Sequence, residues 1–331
     1  MHLRRPLRVL AFCLLALPGL LSVAGVLLAE AALHPPRRPL SPADDTRARR
    51  LAREDRSELT DVAIAARDRV ILRAWSIRPL DFNGDAVILL HGVSDNRLGM
   101  VGYAELLLRH HYQVLLPDAR AHGVSGGRLA TYGLLEADDL RRWFEWLERS
   151  AHFRCIYGFG ESMGAAQLLQ SLRLQRGYCA VVAESPFSDM REMAYARTSR
   201  LFHAGPWLGR TLARPVVDIA LFYARRRYGL DLGQVSPARA AAGSAVPILL
   251  IHGESDRNIP VRHSRRIAAL DPAVVLWEVP NTAHCGAIAT APAEFERRTI
   301  AWFDGQTSPR RSARFSRRMP ASAGVKKPAP L

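Results

Sequence analysis

Residues 155–164 read Cys-Ile-Tyr-Gly-Phe-Gly-Glu-Ser-Met-Gly. An apolar run over residues 155–159 meets Gly160-Glu161-Ser162-Met163-Gly164, a G-x-S-x-G, and helical spacing follows over residues 163–174. The pentapeptide alone is a weak signal; the order strand, glycine-bounded serine, helix is what decides the reading. On a sharp strand-to-helix turn the serine backbone is strained. Glycine at 160 and 164 removes the Cβ atoms that would clash there. The hydroxyl then stands at a helix N-terminus, where N–H groups and the helix dipole favour negative charge. The bland alternative is a tight turn carrying a surface serine.

Working outward, residues 62–65 and 70–77 read as strands split by a turn at Arg67-Asp68. Residues 86–90 form a short apolar run that ends in His91-Gly92, hence a buried strand. Residues 98–111 have helical spacing, and 114–116 make the next strand, closed by Pro117-Asp118. Residues 134–149 form an amphipathic helix with Leu140, Trp143, Phe144 and Leu147 on one side. Strands follow at 180–183, 246–251 and 274–279, with helices at 261–270 and 292–303. The last helix has proline at its first position, where the missing N–H does no harm. Strands alternating with helices imply an α/β class, with a mostly parallel sheet covered on both faces. Residues 187–245 break the rhythm. They are too long and too apolar for a plain crossover and read as a helical cap over the C-terminal edge of the sheet.

A reactive serine needs a base, and the base needs a group that orients it. The strand at 246–251 runs into His252-Gly253-Glu254-Ser255-Asp256, and the strand at 274–279 into Pro280-Asn281-Thr282-Ala283-His284. Asp256 and His284 therefore lie on the same edge as Ser162. Upstream, His91-Gly92-Val93 follows the third strand, which sets the Val93 N–H beside that of Met163 as an oxyanion hole.

These stretches resemble the α/β-hydrolase superfamily. Within it the chain is similar to the serine aminopeptidase-like and monoglyceride-lipase-like branch, above all its bacterial members with an N-terminal membrane segment. His91-Gly92-Val93-Ser94-Asp95-Asn96, Pro117-Asp118-Ala119-Arg120-Ala121-His122-Gly123, Gly160 to Gly164, His252 to Asp256 and Asn281 to His284 carry the resemblance, over residues 60–303. It implies an α/β-hydrolase fold and a catalytic triad of Ser162, Asp256 and His284, in the order Ser…acid…His. It also implies a serine hydrolase acting on an acyl ester, thioester or peptide through an acyl-enzyme, with no cofactor or metal. Ester or thioester is the first expectation, a serine peptidase the second, and a non-catalytic binding protein of the same fold the third. Ala121 departs from the glycine many relatives carry in an R-G-H-G run. Glu184 and Asp189 remain alternative acids. His91, His122 and His252 read as loop braces, His110 and His111 as a helix end, and Asp138-Asp139 as solvent-facing.

The chain has 331 residues, is 48% hydrophobic and carries 46 Lys+Arg against 31 Asp+Glu, a formal +15. That composition is globular. Residues 1–57 hold +5, residues 305–331 hold +7, and only +3 remains for the body. The basicity sits in the ends, so the body shows no nucleic-acid footprint. Arg4, Arg5 and Arg8 precede an uncharged run over residues 9–29. As a helix it would reach roughly 31 Å, one bilayer core. Such a leader expects a membrane anchor at residues 1–33, with the catalytic domain outside the cytoplasm and contact with membrane lipid. Ala29-Glu30-Ala31 leaves cleavage and secretion open, and Pro18-Gly19 is expected to interrupt the helix. Residues 34–57 read as a linker, 58–304 as the hydrolase domain, and 305–331 as a disordered tail, solvated or drawn to anionic headgroups. Cys155 and Cys179 each open one of two neighbouring strands, about 4.8 Å apart. They read either as a disulfide or as two buried free thiols.

Overall fold

The protein is described by a computed structural model covering residues 4–306 except 202, 204 and 206, with side chains from residue 16 onward apart from Leu201. Helix α1 (Arg4–Leu33) leads into α2 (Pro42–Glu54) and a hairpin of β1 (Ser57–Ala65) and β2 (Ile71–Pro79). Then β3 (Asp85–Leu90), α3 (Val101–Arg109), β4 (Gln113–Pro117), α4 (Glu136–Ser150), β5 (Cys155–Glu161), α5 (Met163–Ser171) and β6 (Val181–Glu184) alternate. Next come α6 (Met190–Leu201), α7 (Trp207–Arg210), α8 (Arg214–Tyr228) and α9 (Pro237–Ala241). The chain closes with β7 (Ile248–Gly253), α10 (Arg262–Ala268), β8 (Val275–Val279), α11 (Ala287–Thr290) and α12 (Pro292–Asp304).

One eight-stranded sheet has the order β1-β2-β4-β3-β5-β6-β7-β8. The β1–β2 and β2–β4 pairs are antiparallel and the remaining pairs are parallel. This is the expected α/β-hydrolase architecture. Strands β3, β4 and β7 are buried along their whole length, as parallel strands covered on both faces must be. Successive side chains alternate between two cores. Val87, Leu89, Tyr157 and Phe159 pack with α3 and α12 through Tyr103, Leu107, Phe295 and Phe303. Ala86, Ile88 and Leu90 face α4 and α5 through Trp143, Phe144, Leu168 and Leu169.

Four local expectations change. The segment read as a linker contains α2. Its N-terminus is a capping box: the Ser41 N–H donates to Asp44 Oδ2 at 2.9 Å and Asp44 N–H donates back to Ser41 Oγ at 3.2 Å. Ala48 and Ala52, one turn apart, are buried in the same core as α3 and α12, with α2 lying against β1. The Arg-rich composition hid this narrow apolar stripe. Secondly, α1 runs unbroken through Pro18. A proline removes only its own N–H from the helical ladder, and the Ser22 hydroxyl folds back onto the helix, donating to Pro18 O at 2.8 Å. Thirdly, α9 leaves the cap, because Ala238 and Ala241 are buried with Leu168 and Val181 of the sheet core. Finally, β1 begins at Ser57, since an edge strand with one wet face tolerates Glu58, Thr60 and Asp61. The basic tail expected at the C-terminus lies outside the described residues from 307 onward.

Cys155 and Cys179 are bonded, with Cα atoms 5.6 Å apart. Cys179 N–H donates to Ile156 O at 3.0 Å, just before the regular ladder of β6 begins at Val181. That irregular approach frees its side chain from the parallel stance that in-register strands impose, and the sulfurs converge. The bond closes a loop of 24 residues, a length for which cross-linking contributes about 3 kcal/mol. Cysteine counting on denatured, unreduced protein should find Cys155 and Cys179 protected. The Cys155→Ser, Cys179→Ser double variant should unfold at lower denaturant concentration by that order of stability. Equal midpoints for both proteins would show that the bond carries no stability.

Candidate active site

Strand β5 delivers Ser162 to the tip of a turn, with φ 51° and ψ −112°. Few non-glycine residues sit there, and the surroundings must hold the strain. They do so by close approach. A Cβ on Gly160 would meet the Gly164 carbonyl at 2.6 Å, and one on Gly164 would meet Leu90 O at 2.4 Å. The second clash is with β3, not with the turn itself. Ser162 N–H donates to Glu184 O at 2.8 Å, tying the turn to β6 as well.

The loops after β7 and β8 bring Asp256 and His284 to the same point. Ser162 Oγ donates to His284 Nε2 at 2.9 Å, and His284 Nδ1–H donates to Asp256 Oδ2 at 2.7 Å. The carboxylate fixes the tautomer that leaves Nε2 free to accept. Asp256 Oδ1 takes the N–H groups of Asn258 at 2.7 Å and Ile259 at 2.9 Å. Burial opposes its charge, but these donors, with His252 and His284, hold its pKa far below the usual carboxylate range. His252, expected as a brace, is fully buried. Its Nε2 lies 3.3 Å from Asp256 Oδ2 and 2.6 Å from Ile259 O, and its Nδ1 meets Ser264 Oγ at 2.7 Å. It therefore steadies the acid.

A cavity of about 480 Å³ opens over Ser162 and His284, and Val93 and Met163 line it beside them. Gly92 lies against the nucleophile turn, where an added Cβ would sit 3.6 Å from Ser162 Cβ. Cap residues Phe187, Met190 and Met193 form one wall, and Leu28, Ala29 and Ala31 of α1 another. The α1 wall was not foreseen, since nothing in an apolar leader distinguishes a wall from a plain anchor. The signal available was Glu30, a lone acid at the end of an apolar run, which accepts from Tyr223 Oη and Tyr228 Oη, both at 2.7 Å.

A family model described as alpha/beta hydrolase family matches residues 87–298. The chain belongs to this family. An uncharacterised Bacillus subtilis protein, YqkD, is 31% identical over 199 residues, 59% of this chain and 63% of its own length. The match thus spans less than two thirds of that relative. An esterase of Pyrococcus furiosus has a TM-score of 0.62 at 26% identity, over 82% of this chain and 97% of that one. An acylaminoacyl peptidase of Pyrococcus horikoshii shares the fold at 17% identity, with a TM-score of 0.56 over 75% of this chain and 41% of that one.

In this alpha/beta hydrolase the alternative acids are engaged elsewhere. Asp189 accepts Glu192 N–H at 2.9 Å at the start of α6. Glu184 Oε2 accepts Tyr103 Oη at 3.0 Å and its Oε1 accepts Ala287 N–H at 3.1 Å. Asp139, expected to face solvent, is buried and receives both Arg120 Nε and Nη2 at 2.7 Å. This fork braces the loop in which Ala121 stands at φ 60°, the left-handed region that glycine reaches without strain. His91 is likewise a brace, with Nδ1 at 2.7 Å from Gly92 O and Nε2 accepting Ala119 N–H at 3.1 Å. Burial and the neighbouring His122 lower its pKa to about 4, so it is neutral.

Glu161, half-buried on the cavity wall, and the buried Glu184 form a carboxyl pair bridged by Tyr103 Oη at 3.2 and 3.0 Å. Burial first, then the charge of Glu161, raises Glu184 from 4.5 to about 7, against the Ala287 and Tyr103 hydrogen bonds. The folded protein thus holds a proton that the unfolded chain releases between pH 4.5 and 7. Its contribution to stability is full below that window and is lost as pH rises through it. Glu184→Gln should therefore gain stability relative to the wild type as pH rises from 5 to 8. A difference in Tm that stays constant over that range would show that Glu184 ionises normally.

Proposed function

We propose that the protein is a membrane-anchored serine hydrolase that cleaves carboxylic esters or thioesters. The observation that carries this reading is the unbroken chain of hydrogen bonds from Asp256 through His284 to Ser162, opening into an apolar cavity. Ser162 Oγ attacks the acyl carbonyl while its proton passes to His284 Nε2. The N–H groups of Val93 and Met163 receive the oxyanion. The intermediate collapses, the carbonyl–oxygen or carbonyl–sulfur bond breaks, and His284 hands the proton to the departing alcohol or thiol. Water, deprotonated by His284, then attacks the Ser162 acyl ester. The carboxylic acid leaves and Ser162 regains its proton.

The cavity favours an ester over a peptide. A peptidase trimming from an amino terminus needs a carboxylate free to bind an ammonium. Asp95, on the cavity wall, already pairs with Arg38 at 2.9 Å, and Glu161 is turned toward Tyr103 and the Gly92 N–H. Helix α1 supports the anchor reading. Its stretch Ala16–Leu33 is apolar and long enough to cross a bilayer, and its basic leader would keep the N-terminus in the cytoplasm. Cleavage after Ala31 would remove Leu28 and Ala29 from the cavity wall, which favours retention over secretion. The Cys155–Cys179 bond suits an oxidising compartment outside the cytoplasm.

A fluorophosphonate probe should label the wild type and not Ser162→Ala. Ser162→Ala and His284→Ala should each lower kcat on p-nitrophenyl esters by several orders of magnitude. Asp256→Asn should cost on the order of 10⁴-fold, by analogy with serine proteases. An unlabelled wild type would favour a non-catalytic binding protein of the same fold. Protease added to spheroplasts should reach the catalytic domain, and protection there would reverse the topology.

A further inference from the structure

Helix α1 does more than lead into the domain. Its last two turns dock on cap helix α8. Gly25 is buried, and a Cβ there would meet Ile219 Cγ2 at 2.5 Å, so only glycine permits this closeness. Ala29 and Leu33 are buried at 2% and 0% exposure. Glu30, held by both Tyr223 and Tyr228, fixes the helix in rotation as well as position. Ala130 N–H donates to Leu33 O at 2.9 Å and Tyr132 Oη to Ala32 O at 2.7 Å, so the end of α1 is bonded to the hydrolase body too.

Beside this contact runs a second hollow, a groove of about 540 Å³ between α1 and the cap. Leu21, Ala24 and Leu27 line one side and Leu208, Leu212 and Val216 the other. Thr198 is its one polar lining residue among the described residues. The groove and the cavity over Ser162 share Leu28 and Ala31 as lining residues, so the two hollows lie side by side along α1. From Leu21 to Ala31 the helix rises about 15 Å, enough for an acyl chain of roughly a dozen carbons. At its Leu21 end the groove meets the part of α1 that precedes the docked turns, within the apolar stretch that begins at Ala16. Trp207 and Leu212, at 60% and 73% exposure, stand on the cap beside it. Aromatic and apolar side chains so placed suit the headgroup level of a bilayer.

We propose that this groove receives the acyl chain of a bilayer lipid and leads it to Ser162, with α1 a permanent wall of the substrate site. The proposal rests on the hydrolase reading above and assigns its substrate class: a long-chain acyl lipid that enters sideways from the membrane.

The test uses the full chain carrying Ser162→Ala, reconstituted in phosphatidylcholine vesicles doped with a phospholipid that bears a diazirine near its acyl terminus. After irradiation, cross-links should map to residues 21–28 and 208–216. Ala24→Trp fills the groove from α1, and Leu212→Trp fills it from the cap. Each should cut that cross-linking at least about tenfold, because displacing two buried methylenes already costs that much in affinity. Either variant alone suffices if the other fails to fold. Cross-links confined to Leu17, Leu20 and Val23 on the outer face, or labelling unchanged in a folded filling variant, would overturn the proposal. So would a membrane-extracted protein whose intact mass lacks residues 1–31. The hydrolase reading fails separately. It is overturned when fluorophosphonate leaves the wild-type Ser162 unlabelled, a result the cross-linking pattern does not depend on.

Discussion

The contact between the Gly164 backbone and the end of β3 sets everything at the active edge. With a Cβ at Gly164 only 2.4 Å from Leu90 O, helix α5 could not begin where it does. The turn at Ser162 would relax and its hydroxyl would leave the line to His284. The same closeness brings the Gly92 loop against Ser162, so one backbone approach positions the Ser162 hydroxyl and the neighbouring N–H groups together. Strain at Ser162 persists because three strands share it: β5 carries the residue, β3 blocks its retreat, and β6 accepts its N–H through Glu184 O.

Around that edge the loops are held by charges taken out of water. Arg97 and Asp118 pair at 2.8 Å with side chains only 2% and 0% exposed. Asp118 also accepts the N–H groups of Arg97 and Val124, both at 2.8 Å. Removing one member of such a pair leaves an uncompensated buried charge, which costs about 3–5 kcal/mol. Arg120 is more exacting still, since its fork serves Asp139 while Nη1 reaches Asp68 at 2.9 Å. Burial raises the Asp139 pKa to about 6 against the pull of Arg120. These pairs fix the loops after β3 and β4, of which the first has one short 3-10 turn at Arg97–Met100 and the second no helix or strand.

Much of this was legible in the sequence because it is local. Gly160 and Gly164 flank Ser162, Asp256 follows an apolar run, and His284 follows another, so spacing alone put all three on one edge. The strand and helix pattern of the body was equally plain, since buried parallel strands read as short apolar runs. What spacing could not reach were contacts between distant segments. Asp139 lies beside Asp138 on a helix and looked exposed. Its burial depends on Arg120 arriving from another loop. Helix α2 was hidden because six arginines and four acids over residues 37–55 mask Ala48 and Ala52. The disulfide was undecided because its geometry turns on where β6 begins, two residues after Cys179.

The pairing of Glu30 with Tyr223 and Tyr228 joins positions 193 and 198 residues apart. Helix α1 leaves the ribosome before its partners on α8, which lie nearly two hundred residues further along the chain. Contacts of such separation form late, after the loop entropy of everything between has been overcome. The wall that α1 gives the cavity over Ser162 is therefore absent from any fragment that ends before α8. Asp256 and His284 follow α8, so the cavity can gain this wall before the hydrogen-bonded line to Ser162 is complete.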